Sequence, residues 1–180
     1  MAQQIRTAAI DPEMRRVTLI FLSAAALLVS CIKEKQTGAD LAVGDSIPDF
    51  SVKMNDGSTV SSSSLMEGVS CIMFFTTGCP DCQKTLPQMQ VLYDEYAEKD
   101  IKFLLISRED GESAVSLYWT SNGLGMPYSA QDDRIVYQLF ARTGVPRVYI
   151  CKDGRIHAIF TDEPTPTYEE MKAVIDSLNR

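Results

Sequence analysis

What most limits the folds open to this chain is the join between Phe75 and Cys82. Val69 to Phe75 is an uncharged run of β-branched, aromatic and large apolar residues, the composition of a buried central strand. After Cys82 the apolar residues Leu86, Met89, Tyr93 and Tyr96 recur at spacings of three and four, which is one face of an amphipathic helix. Between them stands Thr77-Gly78-Cys79-Pro80-Asp81-Cys82. Two cysteines three apart therefore sit at a strand-to-helix turn, with Pro80 suited to the first helical position.

That placement suits thiol chemistry. The first turn of a helix offers unpaired backbone N–H groups and the positive end of the helix dipole, so a thiolate is favoured on Cys79. Cys82 lies one turn along, within reach of a mixed disulfide formed on Cys79. The arrangement is a nucleophile with its resolving partner, able to cycle between dithiol and disulfide. A zinc site would want a second cysteine pair or histidines. The remaining cysteines, Cys31, Cys71 and Cys151, stand singly, and His157 is the only histidine. Neither a metal nor another cofactor is expected.

Motifs on both sides of the pair extend this reading. Gly44-Asp45-Ser46-Ile47-Pro48-Asp49-Phe50 has the form G-x-x-x-P-D-F and is followed by a turn signal at Asn55-Asp56-Gly57. Gly144-Val145-Pro146, then Asp153-Gly154-Arg155-Ile156, has the form G-V-P…D-G-x-I. In this order around a CxxC pair, these motifs resemble the TlpA/ResA-like group of thiol–disulfide oxidoreductases, envelope-anchored thioredoxin-fold proteins of the AhpC/TSA superfamily. The resemblance spans about Val43 to Arg180. It implies a thioredoxin-like α/β/α sandwich with a central mixed sheet and an N-terminal β-hairpin. It also implies a cis Val145-Pro146 peptide facing the redox pair, with the backbone before the proline pairing with substrate and Arg147 in the same binding segment. Gly78, Pro80 and Asp81 then shape and tune the turn that holds Cys79 and Cys82.

Elsewhere the chain supplies the pieces of such a fold. Phe50 to Met54 and Ser58 to Val60 flank the first turn, and the serines at 61–64 suit a loop and a helix cap. Ile101 to Ser107 reads as a strand, Glu112 to Asn122 as a helix ended by Gly123 and Gly125, and Tyr128 to Asp132 as strand-like. Arg134 to Ala141 reads as a further helix with Ile135, Val136, Leu139 and Phe140 inward. Arg147 to Cys151 and Ile156 to Phe160 form a second hairpin, and Tyr168 to Leu178 is a closing amphipathic helix. Pro87 falls inside the helix that begins at Pro80 and is expected to kink it. Trp119 is expected in the core. Cys71 and Cys151 are expected as small buried hydrophobes, with a disulfide between them as the alternative.

The first thirty residues read differently. Arg15 and Arg16 precede the apolar run Val17 to Val29, which ends Leu28-Val29-Ser30-Cys31. This is a secretory signal with a lipobox-like end, so residues 1–30 are expected to be removed and Cys31 lipidated, with residues 31–43 as a tether and 44–180 as the folded domain. Met14 is an alternative start. The signal takes with it three of 17 basic and two of 24 acidic residues, leaving the remainder more acidic than the whole chain at −7. That balance argues against nucleic acid as a partner, and attachment to a membrane would come from acyl chains rather than charge. The expected partners are protein thiols and disulfides in the envelope and an upstream electron-donor protein.

The chain departs from the group at several positions. Gly78 stands where tryptophan is usual, Thr85 where many relatives have a glutamate, Met73 where thioredoxin has a buried aspartate, and Arg147 where threonine is common. The proton acceptor for Cys82 is left open between water and Asp81. Asp81 disfavours a thiolate by like charge, while a long, solvated Arg147 is screened, so the pair is expected toward the reducing end of the CxxC range. Two other functions remain open. One is a thiol peroxidase, because Thr76 makes a T-x-x-C with Cys79, although Ile72 replaces the proline expected four residues earlier. The other is a non-catalytic thioredoxin-fold lipoprotein that only binds.

Overall fold

Ser70 is the only polar side chain in Val69–Phe75, and all seven residues of this strand are buried. A strand with no solvent face needs neighbours on both edges and layers on both sides. In a computed structural model, which describes residues 40–180, it has them. The elements are β1 (Ser51–Lys53), β2 (Thr59–Ser61), β3 (Val69–Phe75), α1 (Pro80–Glu95), β4 (Ile101–Ser107), α2 (Glu112–Asn122), β5 (Tyr128–Ser129), β6 (Arg147–Lys152), β7 (Arg155–Phe160) and α3 (Tyr168–Leu178). The strands β5-β4-β3-β6-β7 form one sheet, parallel among β5, β4 and β3 and antiparallel across β6 and β7, while β1 and β2 make a separate hairpin. This is the thioredoxin-like mixed sheet with three helices and an N-terminal hairpin. The expected signal segment, its Cys31 and most of the tether lie outside the described residues.

Alternation along β3 divides the core. Phe75 packs on Trp119 of α2 at 5.1 Å, and Phe103, in register with Cys71 on the same face, meets Tyr93 of α1 and Tyr96, the C-cap of that helix, at 5.8 and 6.4 Å. α3 joins this layer through Tyr96, whose hydroxyl donates to Asp176 at 2.6 Å. On the opposite face Phe74 contacts Tyr137, Phe140 and Tyr149 at 5.4, 4.9 and 6.3 Å. Phe50, just before β1, closes over Phe140 at 5.5 Å. Trp119 is a core residue, with its indole N–H on the Met126 carbonyl at 2.8 Å.

The helix boundaries follow the local signals. α2 ends at Gly123, whose left-handed φ of 64° is the conformation glycine adopts without strain. α3 begins in a capping box between Thr167 and Glu170. α1 continues through Pro87 to Glu95. The Lys152–Arg155 connection is a tight turn with positive φ at both Asp153 and Gly154, and Asp153 also accepts from the Gly68 N–H at 2.9 Å.

One expectation is corrected. The helix expected over Arg134 to Ala141 is only a short 3-10 turn, Tyr137–Leu139, and Ile135 is 66% exposed rather than inward. The segment is shaped by contacts outside itself. Asp133 takes the Ile135 N–H, Tyr137 fills the slot beside Phe74, and the Phe140 carbonyl accepts from Leu41 N–H at 2.9 Å and Tyr149 Oη at 3.2 Å. In α2, Leu117 is exposed at 69% while Val115 and Trp119 are buried. Cys71 and Cys151 are buried free thiols, as expected, and not the alternative disulfide. Cys71 pairs with Ile150 and Cys151 with Ser70, so neighbouring positions send the two sulfurs to opposite sheet faces, away from disulfide geometry.

Candidate active site

The site forms where β3 ends and α1 begins. Thr77 is the anchor of the loop between them. Its N–H and hydroxyl both donate to Asp110 Oδ2, at 2.5 and 2.8 Å, and its carbonyl accepts from Gln83 Nε2 at 2.8 Å. Asp110 stands in the loop after β4, and its own carbonyl accepts from Ser107 Oγ at 2.6 Å. The loop is thus fixed from below by the neighbouring parallel strand and from the side by the first turn of the helix.

Cys79 is the N-cap of α1, in extended conformation, with Pro80 following at the first helical position. Its sulfur takes the place of the usual capping oxygen and accepts from the Cys82 N–H at 3.3 Å. The same sulfur lies 3.3 Å from the Val145 carbonyl, to which its thiol donates. Cys79 is half-buried and Cys82 fully buried, one turn beneath it, and both are free thiols. Burial pushes the Cys82 thiol far up from its ordinary value, and the neighbouring Cys79 adds to this. A Thr76 backbone N–H and the charge of Arg108 act in the opposite direction.

Val145-Pro146 is a cis peptide at the start of β6. Gly144 before it has a φ of 86°, and its carbonyl accepts from Tyr137 Oη at 2.7 Å. This holds the Val145 carbonyl over Cys79. Of the residues singled out in the sequence, Gly78, Cys79, Pro80, Cys82, Val145 and Pro146 come together here. At Gly78 a Cβ would meet nothing within 4 Å, so that flank of Cys79 is open.

Asp81 and Arg147 are occupied elsewhere. Asp81 accepts from Lys84 Nζ at 2.8 Å, and Lys84 and Thr165 hold its carboxyl below the ordinary carboxylate value. Arg147, expected to be solvated, has a side chain only 12% exposed. Its guanidinium donates to the Thr143 carbonyl at 2.9 and 3.2 Å and pairs with Asp40 at 2.9 Å. It is turned back along the loop before β6, and this closes the chain entry onto the domain. Residues 40–43, expected to belong to the tether, are held here, since Asp40 also accepts from the Arg142 N–H at 2.8 Å.

Thr85 is buried, and its hydroxyl donates to the Asp81 carbonyl at 2.8 Å. Met73 is buried in the strand. Neither position carries an acid. Two contributors escaped the sequence reading. Asp110 binds across 33 residues, and Arg108 combines an ion pair to Glu109 with a position over the Tyr137 ring. Neither leaves a periodic or motif signal.

Comparison with known proteins fits this arrangement. Residues 43–158 match the AhpC/TSA family. The chain is 30% identical over 150 residues to the thiol–disulfide oxidoreductase ResA of Oceanobacillus iheyensis, covering 81% of this chain and 78% of that protein. It belongs to the AhpC/TSA family and is a ResA-like thiol–disulfide oxidoreductase. ResA of Geobacillus thermodenitrificans is 24% identical over 92% of this chain and 94% of its own length. Among solved structures, the thioredoxin domain of a thiol–disulfide oxidoreductase from Bacteroides vulgatus superposes with a TM-score of 0.67 at 19% identity, covering 78% of this chain and all of that one, 100%. StoA from Bacillus subtilis gives 0.61 at 21% identity, over 71% and 96% of the two chains. These likenesses carry the fold. Among the described residues there is no group of three or more His, Cys, Asp or Glu side chains that could hold a metal ion.

Proposed function

We propose that this protein reduces disulfides of exported proteins through the Cys79–Cys82 pair. The observation that carries the proposal is the stacking of the two thiols at the start of α1. The outer sulfur is capped by the inner residue's N–H and faces the Val145 carbonyl, and the inner sulfur is shut away from water. The Cys79 thiolate attacks a partner disulfide lying along Val145-Pro146, one partner sulfur leaves as a thiol, and a mixed disulfide remains on Cys79. Cys82 then attacks Cys79, the second partner sulfur leaves, and the Cys79–Cys82 disulfide forms. A separate electron-donor protein returns the pair to the dithiol.

The reducing direction follows from charge. A CxxC pair becomes an oxidant when its reduced form is specially stabilised as a thiolate. Lys84 and Arg147, the basic residues of the helix turn and the proline segment, are each paired with a carboxylate, Asp81 and Asp40. Asp81, tied to Lys84 and Thr165, is poorly placed to accept the Cys82 proton. Gly78 and Pro80 leave the outer sulfur open to a protein-sized partner. The protein acts in the cell envelope of a bacterium, exported by residues 1–30 and held on a membrane by lipid on Cys31.

Turbidity assay of insulin reduction with dithiothreitol, run beside a peroxide-consumption assay on the same sample, tests the activity. Insulin reduction lost in Cys79→Ser, with no peroxide consumption above the buffer, is expected. Peroxide turnover that depends on Cys79, without insulin reduction, would replace this reading with a peroxidase. For the anchor, labelled fatty acid should enter wild-type protein and not Cys31→Ala. Absence of label from the wild type contradicts lipidation.

A further inference from the structure

We propose that Tyr137 and Arg147 are positioning residues for partner binding, which clamp the carbonyls of Gly144 and Thr143 and so aim the Val145 backbone at the partner's main chain. The proposal rests on the reading that a partner disulfide lies along Val145-Pro146. Three consecutive carbonyls ahead of Pro146 each accept from a different side chain. Thr143 takes the Arg147 guanidinium at 2.9 and 3.2 Å, Gly144 takes the Tyr137 hydroxyl at 2.7 Å, and Val145 takes the Cys79 thiol at 3.3 Å.

The first two donors are fixed from behind. Tyr137 is buried, its ring meets Phe74 edge-on at 5.4 Å, and the Arg108 Cζ lies 5.9 Å from the ring centre. Burial pushes its hydroxyl up, so it remains a donor through the neutral range. Arg147 is held by Asp40 at 2.9 Å. Gly144 is confined as well. At its φ of 86° an added Cβ would stand 3.2 Å from Asp162 Oδ1. The third donor differs from these two. Once Cys79 is a thiolate, or is joined to a partner sulfur, it has no proton to give, and the Val145 carbonyl is released to accept elsewhere.

Peptide geometry gives the clamp its consequence. The Gly144–Val145 peptide is trans, so its C=O and N–H point in opposite directions. With the carbonyl drawn to the buried Tyr137 hydroxyl, the Val145 N–H is turned away from Tyr137. Pro146 has no N–H, so Val145 carries the one N–H of this dipeptide, and its carbonyl is the one that Cys79 vacates. An extended chain that adds to exposed backbone pairs through such an N–H and C=O. The partner this fits is an extended segment beside a disulfide, recognised by its main chain, with a free N–H to give to Val145. Without the Tyr137 bond the peptide plane can turn, and it must be ordered again when the partner arrives.

Stopped-flow reaction of the reduced full-length protein with a peptide disulfide carrying a fluorophore and a quencher gives a half-saturating concentration and a limiting rate. Tyr137→Phe keeps the ring and removes one hydrogen bond. It should raise half-saturation about tenfold and leave the limiting rate within about twofold of wild type. Arg147→Met, acting one residue further from Val145, should raise half-saturation about threefold. A peptide N-methylated at the amides flanking its cysteine cannot donate to Val145. In wild type it should bind about tenfold more weakly than the parent peptide, and in Tyr137→Phe the difference should shrink to about threefold or less, because the two changes remove parts of one interaction. Hydroxyethyl disulfide is too small to pair with the backbone, so the ratio of peptide to small-disulfide reactivity should fall about tenfold in Tyr137→Phe.

Half-saturation within about twofold of wild type in either variant overturns the proposal, as does an equal loss toward peptide and hydroxyethyl disulfide, which is the mark of a merely structural role. An N-methyl penalty of the same size in wild type and Tyr137→Phe overturns it too. Should Tyr137→Phe not fold, Arg147→Met decides alone by the same criteria. Wild-type protein indifferent to N-methylation removes the reading of Val145-Pro146 as the partner segment, and peptide cleavage that persists in Cys79→Ser removes the site assignment; either takes the proposal with it.

Discussion

Replacing Asp110 with alanine tests how the site is held. One oxygen of this half-buried carboxylate takes both the N–H and the hydroxyl of Thr77, at 2.5 and 2.8 Å. Hydrogen bonds to a charged group contribute about 1.5–3 kcal/mol, and a donor left unpaired out of water costs about 1–3 kcal/mol. The Thr77 hydroxyl can turn to solvent, so the lost N–H bond dominates, and we expect Asp110→Ala to cost about 2 kcal/mol. For a chain of this size that is a fall in Tm of about 4–8 °C. Asp110→Asn keeps an acceptor oxygen and should lose about half as much. Urea unfolding monitored by Trp119 fluorescence gives the change as a shift in midpoint at constant slope. Insulin reduction should also slow, because Thr77 sits two residues before the nucleophile. A loss of less than about 0.5 kcal/mol, the range of an ordinary surface substitution, would refute the claim that Asp110 fixes the loop.

Other outcomes follow from the same contacts. Iodoacetamide near neutral pH should modify Cys79 well before Cys82, since Cys82 is fully buried and its thiol is pushed up by that burial, whereas preferential labelling of Cys82 would reverse the roles. Phe140→Ala should cost about 3–5 kcal/mol by opening a cavity among Phe50, Phe74 and Tyr149, read by denaturant melts. The two arginines on Glu109 lower its carboxyl from 4.5 to about 2, so its contribution to stability is complete above pH 4.5 and lost as pH falls toward 2. Glu109→Gln should therefore flatten the stability curve in that window and leave its shape unchanged above it.

Much of this architecture is legible in the sequence because it rests on local patterns. The uninterrupted apolar run of β3 and the spacing of Leu86 and Met89 are physical consequences of which faces are buried. So is the Asp153-Gly154 turn, where both residues adopt positive φ. The cysteine turn is legible for the same reason, since a strand, a cap position and a proline at the first helical position are all set within a few residues. Residues 134–141 were not, because their apolar spacing fits a helix in isolation. In the folded chain the Asp133 carboxylate and the Leu41 N–H take the backbone groups at either end, and Tyr137 rather than Ile135 fills the core. Arg147 illustrates the other limit. An exposed arginine and one locked to Asp40 and Thr143 look alike in sequence, because the partner lies 107 residues away, at position 40 against position 147. Asp110 belongs to this class as well, since Thr77 lies 33 residues away, and a long-range polar pair of this kind decides how the redox turn is held.

The central claim is that Cys79 attacks and Cys82 resolves. Cys82→Ser protein, reduced and then mixed with oxidised insulin, should accumulate a mixed disulfide that non-reducing gels and peptide mapping place on Cys79, while wild-type protein accumulates none and Cys79→Ser,Cys82→Ser protein forms none. A trapped partner on Cys71 or Cys151, or no trapped partner while insulin reduction continues, would contradict the account.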